Sequence, residues 1–157
     1  YDDIMKKSIS EFKYHGRKEY SKFYGKFLAD QYGNWVRKMN ADALIPVPLH
    51  RQKQKARGYN QAELIAREVG ARIGIPVKTD ILYRKQYTMP QKELNDVERR
   101  KNLARAFEVK EDTLFLKKVI LIDDIYTTGS TIEAMAHVLK GAGADRVFFV
   151  TLCMGWI

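Results

Sequence analysis

Residues 119–131 read Val-Ile-Leu-Ile-Asp-Asp-Ile-Tyr-Thr-Thr-Gly-Ser-Thr, and no other segment limits the fold as much. Four consecutive apolar residues, 119–122, predict a strand buried on both faces, because a strand with one wet face alternates apolar and polar. Such a sheet needs helices on both sides. A helix is expected over 132–140, ended by Gly141 or Gly143, with the next strand over 147–152. These form a βαβ unit. Residues 43–48, an apolar run ending at a proline, and the helix after them add a second strand–helix step. The predicted fold is therefore α/β, a mainly parallel sheet flanked by helices.

The first forty residues read as amino-terminal helices. Ile4, Met5, Ile9 and Phe12 mark one apolar face, and His15-Gly16 breaks the pattern. Tyr20, Phe23, Tyr24, Phe27 and Leu28 then recur at helical spacing, with Lys6, Lys7, Lys13, Arg17, Lys18, Lys22 and Lys26 on the polar faces. A basic loop is expected over 49–58. Asn60 is placed to cap a helix that runs to Ile73, with Ala62, Ile65, Val69 and Ile73 inward and Gly74 closing it. Ile81-Leu82-Tyr83 reads as a short strand, and 84–105 is polar with few apolar anchors, as in either a helix without a clear core face or a mobile functional loop.

The 157 residues suit one domain, read as 1–157. The net charge of +9 is uneven: residues 1–105 carry +11 and residues 106–157 carry −2. A basic surface of this kind suits an anionic partner: nucleic acid, a phosphate ligand or anionic lipid. No apolar run approaches the ~18 residues of a membrane span. The single cysteine, Cys153, excludes an internal disulfide and a multi-cysteine zinc site within these residues. With no secretory signal at the start, a reducing, cytoplasmic setting is expected. The opening residue is Tyr1 rather than Met, which suits a piece of a longer gene product.

The segment after residue 122 carries the chemistry. It lies at the carboxyl end of a central strand, where open α/β sheets place their ligands. Thr127, Thr128, Ser130 and Thr131 supply hydroxyls, Gly129 lets the backbone bend closely, and the following helix points its free amides at the same place. That describes a phosphate cup. Asp123 and Asp124 would repel phosphate; they suit the hydroxyls of a sugar, or a magnesium ion with its waters. Each half alone is ordinary, a solvated strand end or a helix cap. Together they fit a ribose 5′-phosphate. Neither the G-x-x-x-x-G-K-[ST] nor the G-x-G-x-x-G nucleotide motif is present.

Residues 119–131 resemble the phosphoribosyl diphosphate (PRPP) motif of type I phosphoribosyltransferases, an apolar strand followed by two acids and a T-T-G-x-T loop. Further blocks resemble the competence protein F (ComF) family: residues 12–16 (Phe-Lys-Tyr-His-Gly), 45–50 (Ile-Pro-Val-Pro-Leu-His), 57–61 (Arg-Gly-Tyr-Asn-Gln), and Gln91 with Glu98-Arg99-Arg100 and Asn102. Members of that family commonly carry an amino-terminal zinc-binding segment with four cysteines, and these residues hold no such segment.

The resemblance implies a magnesium-dependent phosphoribosyltransferase, or a domain that keeps its substrate site. Asp123 and Asp124 would hold the ribose, reaching magnesium through water at most, and residues 127–131 the 5′-phosphate. The loop after the first strand, with His50, Arg51, Lys53, Lys55 and Arg57, would face the pyrophosphate. Residues 84–105 match the hood that closes over the site, with Tyr87, Gln91, Arg99, Arg100 and Asn102 as inward candidates. No residue stands out as a general base, so the nitrogen acceptor is undetermined. The family's link to DNA uptake offers another role, a non-catalytic PRPP-binding or single-stranded-DNA-associated adaptor. Open partners are single-stranded DNA, a helicase-like competence protein and a second copy of the chain.

Overall fold

The computed structural model describes residues 3–85, 105–110 and 115–155. Two helices open it, α1 (Asp3–Tyr14) and α2 (Tyr20–Lys38), followed by strand β1 (Ala43–Pro46). Then come α3 (Arg51–Arg57), α4 (Gln61–Ile73) and the short strands β2 (Leu82–Arg84) and β3 (Phe107–Val109). The chain closes with β4 (Lys118–Tyr126), α5 (Ser130–Gly141) and β5 (Arg146–Met154).

The main sheet has the order β1-β4-β5, and both pairings are parallel, with Ala43 beside Val119 and Val119 beside Val147. In β4 the residues Val119, Ile120, Leu121 and Ile122 are at most 1% exposed, as expected of a strand covered on both faces. Alternation divides them between two cores. Ile120 and Ile122 pack with Phe12 of α1, Tyr24 and Leu28 of α2, and Ile65 and Val69 of α4. Val119 and Leu121 pack with Met135 and Leu139 of α5 and with Leu82 and Phe107 of the antiparallel β2–β3 pair. Burial of each such side chain contributes roughly 1.5–3 kcal/mol, so β4 anchors both layers. Its start is fixed by Asp42, whose carboxylate accepts from the amides of Lys117 at 2.7 Å and Lys118 at 2.8 Å.

Helix α4 forms as its sequence predicts. The Asn60 side chain accepts from the Ala62 amide at 3.0 Å, Gly74 closes the helix, and Ala62, Ile65, Val69 and Ile73 are buried. Helix α2 lies close along α4, where Gly25 faces Glu68 so tightly that a Cβ would sit 2.2 Å from the Glu68 Cβ.

Four expectations are corrected. The basic stretch 49–58 is not a loop: residues 51–57 form α3, with His50 capping it and Gly58 ending it. Asp123 and Asp124 belong to β4 rather than to the turn, because pairing with β5 continues to Tyr126 beside Met154. Ile4 is 81% exposed, so the inward face of α1 is carried by the half-buried Met5, which packs against the core, and by Ile9 and Phe12. Phe23 and Phe27 lie outside the core, because Tyr24 and Leu28 set the inward face of α2 and the preceding positions are turned about 100° around the helix.

Candidate functional site

Strand β4 delivers two acids and the chain turns at residues 127–129 into α5. Gly129 is indispensable to the turn: its φ is +76°, and a Cβ there would lie 2.3 Å from the Tyr126 hydroxyl. Tyr126 cannot give way easily, since its ring stacks on Phe149 of β5 at 5.1 Å and 11°. That stacking fixes where Tyr126 points. Gly129 has no side chain with which to cap α5, and the Ser130 amide meets only the Thr128 hydroxyl at 3.4 Å. The Thr128 and Ser130 hydroxyls lie 2.9 Å apart. Thr127 and Thr128 are exposed, whereas Gly129, Ser130 and Thr131 are half-buried. A cup of hydroxyls at an uncapped helix start is a ready acceptor of an anion.

The acids sit differently from each other. Asp124 is buried, 3% exposed, and its Oδ2 takes the Lys13 ammonium at 2.7 Å and the Gln61 amide at 3.3 Å. Gln61 is in turn hydrogen-bonded by Arg57. Asp123 is half-buried, and its Oδ1 accepts from the Asp124 amide at 2.8 Å. Burial, with the neighbouring Asp124 charge adding to it, pushes the Asp123 carboxyl up to about 7. Two adjacent carboxyls in a partly dry site resist holding two charges. A ligand that donates two hydroxyl hydrogen bonds relieves that repulsion.

The five residues of the basic stretch expected to face a pyrophosphate are not brought to one place. His50 is taken up as the cap of α3, its Nδ1 accepting from the Gln52 amide at 3.3 Å. Lys53 and Arg57, one turn apart, line a cleft of about 210 Å³ together with Lys13 and Tyr14. Arg51 points elsewhere, into a cleft of about 360 Å³ that it shares with Tyr83 and Arg84. Burial pushes the Arg84 guanidinium down, and it lies over the Phe107 ring at 5.6 Å. Lys55 is exposed. The hood candidates Tyr87, Gln91, Arg99, Arg100 and Asn102 lie outside the described residues.

In the sequence Lys13 falls on a polar helical face. Its place on Asp124 was not legible, because the two are far apart in the chain; the sole hint was its position in the block 12–16. His137 is exposed on α5 and His15 faces Glu11 at 3.6 Å. Cys153 is half-buried, and its thiol donates to the Asp124 carbonyl at 3.6 Å. Among the described residues no group of three His, Cys, Asp or Glu side chains is arranged to hold a metal ion, and no helix is long and apolar enough to cross a membrane.

Comparison with known proteins identifies the family. The family model described as "Phosphoribosyl transferase domain" matches residues 55–155, from α3 through the cup to the end of β5. Competence protein F of Haemophilus influenzae is 36% identical over 108 residues, covering 68% of this chain and 47% of that protein. The DNA utilization protein YhgH of Salmonella typhi is 32% identical over 112 residues, covering 71% of this chain and 49% of that protein. The chain thus spans about half the length of these curated relatives. In fold it is similar to the glutamine PRPP amidotransferase of B. subtilis, with a TM-score of 0.58 at 20% identity over 84% of this chain and 26% of that one. The parallel sheet, the cup at the end of its central strand and the matching family model together establish that the chain belongs to the phosphoribosyl transferase domain family, on the branch whose relatives are named competence protein F.

Proposed function

We propose that the chain binds PRPP with magnesium and transfers its phosphoribosyl group to a nitrogen acceptor, releasing pyrophosphate. One observation carries this reading: two recognition chemistries of opposite sign stand side by side. Asp123 and Asp124 lie near the carboxyl end of β4, and the hydroxyl-lined turn that opens α5 begins three residues after Asp124. A sugar phosphate with vicinal hydroxyls uses both, its phosphate in the cup and its diol on the acids.

As the bond from the anomeric carbon to the diphosphate oxygen breaks and the bond to the acceptor nitrogen forms, the ring gains oxocarbenium character. The carboxylate pair sets negative charge beside that developing positive charge. Lys53 and Arg57, which line one cleft, and Arg51, which lines another, would be the cations to stabilise a departing diphosphate. Asp124 is engaged with Lys13 and Gln61, so either acid would meet a magnesium ion through its waters rather than directly. When bound, the ion neutralises diphosphate charge.

The test is calorimetry with PRPP and magnesium. The wild type is expected to bind, and Asp123→Asn with Asp124→Asn to weaken binding at least about 100-fold, since two hydrogen bonds to charged groups are lost. Unchanged affinity refutes the ribose assignment. Pyrophosphate release with one of a panel of nitrogen bases supports transfer; binding without release across the panel reduces the function to PRPP binding.

A second reading, an adaptor that touches single-stranded DNA, draws on α2. There Phe23 is 66% exposed between Lys22 and Lys26, with Lys18 one turn earlier. An exposed aromatic among cations suits base stacking and phosphate contact. Retention of single-stranded DNA binding after Lys18, Lys22 and Lys26 are changed to Gln removes this surface from consideration.

A further inference from the structure

We propose that Lys13 is a positioning residue for sugar recognition, fixing the Asp124 carboxylate in the orientation that accepts a ribose hydroxyl; the inference rests on the phosphoribosyl reading above. Lys13 comes from α1, outside the residues matched by the family model, so the shared domain does not supply it. Its ammonium lies 2.7 Å from Asp124 Oδ2, and the two side chains are only 16% and 5% exposed, so water competes little for either partner. Gln61 converges on the same oxygen. With Oδ2 held from two directions the orientation of the carboxylate is fixed, and a ribose hydroxyl would meet it at Oδ1. Preorganised acceptors of this kind strengthen recognition because little ordering is left to do on binding.

The backbone around Lys13 is itself tied down on both sides. Phe12 is fully buried, and its carbonyl accepts the Tyr59 hydroxyl. Tyr14 lies against the Arg57 guanidinium, 5.2 Å from ring centroid to guanidinium carbon. Arg57 also bonds Gln61, so α1, α3, α4 and β4 meet around one carboxylate. A lysine that merely neutralised buried charge would matter equally for every ligand. One that orients Asp124 matters only for ligands with the hydroxyls.

That difference is the test. Affinities of ribose 5-phosphate and of its 2,3-dideoxy analogue, which keeps ring and phosphate without the diol, are measured on wild type, Lys13→Met, Lys13→Gln and Lys13→Arg. The wild type is expected to prefer ribose 5-phosphate by tenfold or more, since a hydrogen bond to a charged group is worth about that factor. Lys13→Met is expected to lose roughly tenfold for ribose 5-phosphate while staying within about twofold for the dideoxy analogue, and Lys13→Arg to restore the preference. Should Lys13→Met not fold, Lys13→Gln, which keeps a donor without the charge, gives the same comparison. A neutral variant with the wild-type preference, or with equal losses for both ligands, overturns the positioning role. A wild type that binds neither ligand nor PRPP with magnesium overturns the phosphoribosyl reading itself.

Discussion

Replacing Asp123 with asparagine sets stability against ligand binding at a single carboxyl. In the folded protein burial and the Asp124 charge push Asp123 up to about 7, against an ordinary value of 3.8. Between those two values the folded state holds more protons than the unfolded one, so stability falls as pH rises through the window and the full loss is present above it. The span corresponds to an upper bound of about 4 kcal/mol. Partial solvent access to Asp123 and sharing of charge with Asp124 and Lys13 reduce the expected figure to about 2 kcal/mol. Asparagine keeps the Oδ1 that accepts from the Asp124 amide and carries no charge. Asp123→Asn should therefore gain on the wild type as pH rises, from little difference near pH ~4 to about 2 kcal/mol near pH ~8, or roughly 4–8 °C in Tm. Thermal unfolding of both proteins across that range measures it, because titrating groups away from Asp123, Asp124 and Lys13 cancel in the difference. A stability difference that does not change with pH, or an asparagine variant less stable than wild type at pH ~8, refutes the account of the acid pair.

Other consequences are more local. Gly129→Ala forces a side chain into a left-handed turn and against the Tyr126 hydroxyl, so it should lower stability by about 1–3 kcal/mol. It should also weaken binding of ribose 5-phosphate and its dideoxy analogue alike; melting and calorimetry check both effects. Burial, then the Asp124 charge, push the Cys153 thiol up to about 11, so alkylation near pH ~8 should be slow in the native protein and fast in denaturant. Rapid native alkylation would contradict the placement of Cys153 against the Asp124 carbonyl.

The parts legible in the sequence are those written in local signals. The run 119–122 shows its double burial in composition alone, and α4 carries its cap at Asn60 and its stop at Gly74 in sequence. The seven residues of α3 have no apolar face to give a helical period, so only the flanking His50 and Gly58 hinted at a helix. The apolar run marks the strand only to Ile122, yet pairing of Asp123 with Thr151 and of Ile125 with Cys153 carries it on. Grouping His50, Arg51, Lys53 and Arg57 as one loop hid the division that a helix imposes, with Lys53 and Arg57 on one side and Arg51 on another. Lys13 on Asp124 is a tertiary contact between the first helix and the central strand, which no local pattern encodes.

The most direct test of the central claim is a crystal structure with PRPP and magnesium. The 5′-phosphate should lie on the amides and hydroxyls of residues 127–131, with the ribose hydroxyls about 3 Å from the Asp123 and Asp124 carboxylates. Lys13 should remain on Asp124 Oδ2. PRPP seated with its phosphate away from that turn, or with its ribose away from both acids, would contradict the account.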